Sequence, residues 1–182
     1  MRRVILGLII MFGAACSSDQ ESSQEGTEVA KPANQAQNVT ELASNELREF
    51  AERYTAAWCS QEPASVAEFF SPTGSLTVND GAPAVGRAAI TEVAQGFMTA
   101  FPDMEVLMDD LIVRDDRTVF EWTLVGTNTG PDGTGNRVRI SGFEEWRIGA
   151  DGLIAESKGH FDSDEYQRQL EEGVEDDRVT VR

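Results

Sequence analysis

A cone-shaped α+β domain, with three N-terminal helices packed in a curved mixed or antiparallel sheet, is predicted by three observations. Apolar residues recur at helical spacing before residue 102, and from there on they alternate along four runs of strand length. The chain has 182 residues, 40% of them apolar, with three Trp and nine Phe, enough for one domain with a real core. Only three helical stripes are available to cover those strands, so the sheet must wrap around them and leave a partly filled interior.

The chain opens with MRRVILGLIIMFGAAC, where two Arg precede an apolar run from Val4 to Phe12 and small residues ending at Cys16. This is a secretory signal pattern, too short to span a bilayer stably. The small residues before Cys16 resemble the lipobox of bacterial lipoproteins, with Gly13 where that pattern usually has Leu. The resemblance implies removal of residues 1–15, a lipid on Cys16 and, from Ser17, sorting to the outer membrane with the domain facing the periplasm. The alternatives are an ordinary cleaved signal and an uncleaved anchor. With Cys16 lipidated, Cys59 has no disulfide partner and reads as a small buried hydrophobe beside Trp58. Residues 16–43 are rich in Ser, Gln, Glu, Asn and Ala and lack any aromatic residue, so they read as a disordered tether. The formal charge of -17 leaves no basic stripe for nucleic acid or anionic headgroups, so the membrane partner is reached through the lipid alone.

The domain itself starts with Leu47, Phe50, Tyr54 and Trp58, spaced as one stripe of a helix capped at Ser44 or Asn45. Pro63 fits the first turn of a second helix running to Phe70, and GSLTVNDGAP reads as an extended segment turning at Asp80-Gly81. Ile90, Val93, Phe97 and Phe101 form the third stripe, ended by Pro102. The four alternating runs are MEVLMDDLIVRDD, TVFEWTLVGTNTG, NRVRISGFEEWRI and GLIAESKGHFD, separated by DDR, PDGTG and GADG.

Across residues 44–171 the stretches AAWCSQEPASVAEFF, VGRAAI, FPDMEV, EWTLVGTNTG, GADGLIAES and FDSDEYQRQL resemble the SnoaL-like polyketide cyclases of the nuclear transport factor 2-like superfamily. The resemblance implies a cystatin-like α+β barrel over residues 44–172, with 173–182 as an acidic C-terminal tail. It also implies that Asp162, at the end of the last strand, stands where the family has its acid–base Asp. Asn128 in GTNTG replaces the His usual there, an amide that cannot share a proton in place of an imidazole that can. The ketosteroid isomerases share the fold, and by position Tyr54 resembles their Tyr, Asp80 their base and Glu144 their protonated acid. Relatives of this fold also include hydrolases, dehydratases and binding proteins, so fold does not settle chemistry.

Alternation gives a separate reading of these positions. In the third run Val138, Ile140, Gly142, Glu144, Trp146 and Ile148 form the apolar set, which turns Glu144 inward; the alternative is a strand-edge acid reaching solvent or an Arg. In the last run Leu153, Ala155, Ser157, Gly159 and Phe161 face inward, while His160 and Asp162 face outward unless a bulge reverses them. Asp162-Ser163-Asp164-Glu165 fits a capping box for a helix over DEYQRQL, a reading that competes with the acid–base one. His160 is the only histidine, so no multi-histidine metal site is expected. Trp58, Trp122 and Trp146 read first as core. Val174, Val179 and Val181 leave open an added strand at a homodimer contact.

The expected protein is a lipid-anchored domain binding a small hydrophobic or carbonyl-bearing molecule in a cone lined by Tyr54, Trp58, Phe101, Glu144 and Phe161. Asn128 and His160 are expected as further contacts. Cofactor-free acid–base chemistry of the cyclase or isomerase type, with Asp162 or Asp80 moving a proton, is one expectation; a non-catalytic binding or accessory lipoprotein is the other.

Overall fold

The computed structural model describes residues 32–114 and 116–174, with side chains from residue 44 onward. The signal, Cys16, the first part of the tether, and Val179 and Val181 of the tail lie outside the described residues. Helix α1 runs Pro32–Cys59, so the stretch 32–43, read as tether from its composition, belongs to this helix. Proline stands at its first position, and no Pro or Gly follows before Cys59 to stop it. No described helix is long and apolar enough to cross a membrane.

After α1 come α2 (Pro63–Ala67), β1 (Phe70–Val78), β2 (Ala84–Val85) and α3 (Arg87–Ala100). The remaining elements are β3 (Glu105–Val113), β4 (Thr118–Thr127), β5 (Arg137–Ile148), β6 (Ile154–Phe161) and α4 (Ser163–Glu172). One six-stranded sheet results, in the order β2-β1-β6-β5-β4-β3. All pairs are antiparallel except β1 with β6. The fold class is therefore the mixed α+β cone expected, with α4 as a fourth helix. Helix α2 stops short of Phe70, because Phe70 is fully buried in β1 and, just before it, Phe69 O accepts from Ile154 N at 2.9 Å. Sheet pairing there wins over continuation of a five-residue helix.

The helices lie in the hollow of the sheet, α1 against β3 and α3 against β1. Tyr54 is the hub of the core: its ring meets Phe69, Phe120 and Trp146 edge-on at 5.5, 5.7 and 5.2 Å, while Phe120 stacks on Trp146 at 4.8 Å. Edge-on packing of this kind adds to the burial of large rings. Along α3 the fully covered line is Ile90, Ala94 and Met98, with Val93 and Phe97 half-buried beside it. Cys59 corrects another expectation, because it is exposed rather than buried. Its Sγ accepts from Val106 N at 3.2 Å and donates to Val106 O at 3.4 Å, which clips the end of α1 to the edge strand β3.

Candidate functional site

Period two places Glu144 as alternation requires: β5 alternates between covered and open positions, and Glu144 is 6% exposed. Its carboxylate receives three different donors. Ser157 Oγ and Trp146 Nε1 donate to Oε2 at 2.6 and 2.8 Å, and Tyr54 OH donates to both oxygens at 3.1 and 3.3 Å. Burial pushes the Glu144 carboxyl up, and the bonds from Ser157, Trp146 and Tyr54 draw it only part of the way back. Tyr54 is driven well above an ordinary tyrosine, first by burial and then by the charge of Glu144.

Beside this carboxyl lies a chamber of about 60 Å³. Its walls are Trp58 from α1, Leu76 and Val78 from β1, Phe97 from α3, Val106 from β3, and Phe120, Trp122 and Leu124 from β4. Glu144, Gly159 and Phe161 complete the lining, so Glu144 is the only ionisable group in it. Two glycines shape the space. A Cβ at Gly142 would fall on the His160 carbonyl oxygen and lie 2.7 Å from the Trp122 ring, so only glycine lets that indole lie against β5. A Cβ at Gly159 would make ordinary contacts, 3.5 Å to Thr77 O and 3.6 Å to Glu144 Cγ. Trp122 Nε1 is buried without an acceptor among the described residues.

Several expected site residues lie elsewhere. Trp58, Glu144 and Phe161 line the chamber, and Tyr54 stands behind Glu144. Phe101 is fully buried at the end of α3 but outside the lining, packed on Gly126. Asn128 ties a loop together: its Nδ2 donates to Ala100 O at 3.1 Å, and its Oδ1 accepts from Thr134 N at 2.8 Å. Asp80, His160 and Asp162 border a separate outer cleft of about 390 Å³, with the His160 ring 5.0 Å from that of Phe143. Phe161 is common to both spaces.

Asp162 faces outward and caps α4, its Oδ1 accepting from Asp164 N at 3.0 Å and Glu165 N at 2.9 Å. Only this half of the expected capping box forms, because Glu165 turns to Arg168 and Gln169 instead. A bulge does occur in β6, but at its start: Arg147 pairs with Glu156 and Ile148 with Ile154, which turns Ile154 into the core in place of Leu153. Beyond α4, Val174 N donates to Arg137 O at 3.1 Å.

Sequence reasoning missed Ser157 and Trp146 as partners of Glu144, and Asn79 altogether. Asn79, at a φ of 47° after β1, accepts from Phe161 N at 2.9 Å and donates to Ser163 Oγ at 2.7 Å, holding the end of β6. Its signal is the Asn-Asp-Gly turn, since Asn tolerates that left-handed backbone.

A curved sheet closed by helices over an apolar chamber defines the nuclear transport factor 2-like class. Residues 51–157 match the model described as SnoaL-like domain, and the chain belongs to that family. It is similar to a hypothetical protein with a ketosteroid isomerase-like fold from Catenulispora acidiphila, solved in complex with trimethylamine. That match has a TM-score of 0.60 and 16% identity over 67% of this chain and 92% of that one. A putative SnoaL-like polyketide cyclase from Jannaschia is similar at a TM-score of 0.60 and 16% identity, over 69% of this chain and 92% of that one. AclR, a putative hydroxylase from Streptomyces galilaeus, is similar at 0.59 and 22% identity, over 72% and 88%. At these identities the likeness carries the fold alone. Among curated proteins no relative matches this sequence.

Proposed function

We propose that this is a lipid-anchored domain that holds a small, partly apolar molecule in the chamber beside Glu144. The observation that carries the reading is an apolar space of about 60 Å³ with a single carboxyl in its wall. Apolar walls with a few fixed polar groups are what small-ligand sites share. The size limits the ligand to a few non-hydrogen atoms, because one water needs about 10–15 Å³ on the same measure. Trimethylamine, carried by the Catenulispora protein, is a molecule of that class.

Binding without turnover is the better-supported form. Cyclase or isomerase chemistry needs a group that takes a proton and a second that holds the resulting charge. Glu144 and Tyr54 are bonded to each other, while Asp80 and Asp162 border the outer cleft. Native mass spectrometry of protein from its own cells should show an added small mass, lost in Gly159→Val, whose branches would enter the chamber. No added mass, together with no change at the Trp58 or Trp122 indoles on titration with small alcohols, ketones or amines, would refute the reading.

The anchor is the second part of the proposal, and it rests on the sequence ending at Cys16. Labelled fatty acid should enter the wild-type protein and not Cys16→Ser. Unlabelled wild-type protein, free of the membrane, would remove the anchor from the proposal.

A further inference from the structure

Resting on that reading of the chamber, we infer that its ligand is a small tertiary or quaternary alkylammonium cation, held by aromatic faces with Glu144 as its counter-ion. Five of the lining side chains are aromatic: Trp58, Phe97, Phe120, Trp122 and Phe161. Their ring faces carry the negative end of the quadrupole, and a desolvated cation among them is attracted where a neutral group of the same shape is not. The alkyl groups of such a cation suit the remaining apolar wall.

Glu144 supplies the second half. Every polar group around it donates: Ser157 from β6, Trp146 from its own strand and Tyr54 from α1. Trp146 Nε1 can only donate, whereas the Ser157 and Tyr54 hydroxyls can also accept, so the cluster can hold Glu144 as a carboxylate or, with a hydroxyl turned, as a carboxyl. A buried carboxylate ordinarily has a cationic partner. None of the lining residues is Lys, Arg or His, and among the described residues Tyr54 is the only titratable group that hydrogen-bonds to Glu144. A cation in the chamber would supply that partner whenever Glu144 is ionised. An oxyanion-binding role would need Tyr54 and Glu144 to donate outward, whereas Tyr54 donates to Glu144 itself.

Proton balance follows. Below its raised titration the empty carboxyl carries a proton; when the cation enters there, that proton leaves to solvent and the carboxylate stays behind, paired. Affinity should therefore rise with pH up to the titration of the empty site and level off above it.

The test compares tetramethylammonium with tert-butanol, a neutral molecule of similar bulk, on the full chain by calorimetry and tryptophan fluorescence. The alcohol keeps the bulk and removes the charge, so it isolates the contribution of the charge. The cation should bind about tenfold tighter or better above the Glu144 titration. Below it, the cation should release a proton, seen as a heat that depends on the buffer's ionisation enthalpy. Glu144→Gln should lose the preference and keep the alcohol. If the alcohol binds wild type as tightly as the cation, or cation binding ignores pH, the cation proposal fails while the chamber reading stands. If neither binds nor disturbs the tryptophans, both fail. The wild-type comparison decides even where Glu144→Gln does not fold.

Discussion

Glu144 shows how one residue's surroundings set its chemistry. The fold holds its carboxyl above the ordinary glutamate value, so over the window between the two values the folded protein keeps a proton that the unfolded chain has released. Glu144's contribution to stability must then fall as pH rises through that window and level off above it, against the opposite contributions of depressed carboxylates such as Asp103 and Glu165. Glu144→Gln should flatten this fall, as urea midpoints from about pH 4 to about pH 8 will show. Ser157→Ala removes the shortest bond to the carboxylate, and the Glu144 titration, followed by carboxyl-carbon NMR, should move further up. Asp162 poses a different question, because Asn caps a helix about as well as Asp but cannot transfer a proton in its place. Asp162→Asn should leave the thermal midpoint unchanged, whereas Asp162→Ala should cost about 0.5–2 kcal/mol. If a turnover assay is established, loss of activity in the stable Asn variant would make Asp162 chemical as well as a cap.

At the scale of elements, β5 and β6 build the site between them. Gly142 and Gly159 face the same hollow from adjacent strands, yet their neighbours differ, so equal substitutions should differ in effect. Gly142→Ala sets a methyl into the Trp122 ring and the His160 carbonyl and should cost about 1–3 kcal/mol in denaturant unfolding. Gly159→Ala meets only ordinary contacts and should keep the wild-type midpoint while crowding the space beside Glu144. The alternation that turned Glu144 inward was legible because β5 is regular over Arg137–Ile148. The start of β6 was not, because the register shift opposite Ile148 comes from pairing with β5 and leaves no mark in β6's own sequence.

At the scale of the whole molecule, a charge of -17 surrounds a chamber proposed to take a cation. Such a field raises the local cation concentration and is screened by salt. Tetramethylammonium affinity should therefore drop as ionic strength rises and tert-butanol affinity should not, which titrations at low and high salt will check. The sequence by itself determined the change of period near residue 102 and the four long strands β3 to β6, and it offered the inward face of Glu144 and the cap at Asp162 beside their alternatives, since each depends on neighbours a few positions away. Only the tertiary structure decided which polar groups meet. Tyr54 and Glu144 are 90 positions apart, and Ser157 joins them from a third element. The same long-range closure placed Phe101 behind the wall and left Asp80, His160 and Asp162 at an outer cleft. Local pattern fixes the face on which a side chain lies; the curvature of the sheet and the seat of the helices fix what stands opposite, and that choice decides between a proton donor and a counter-ion.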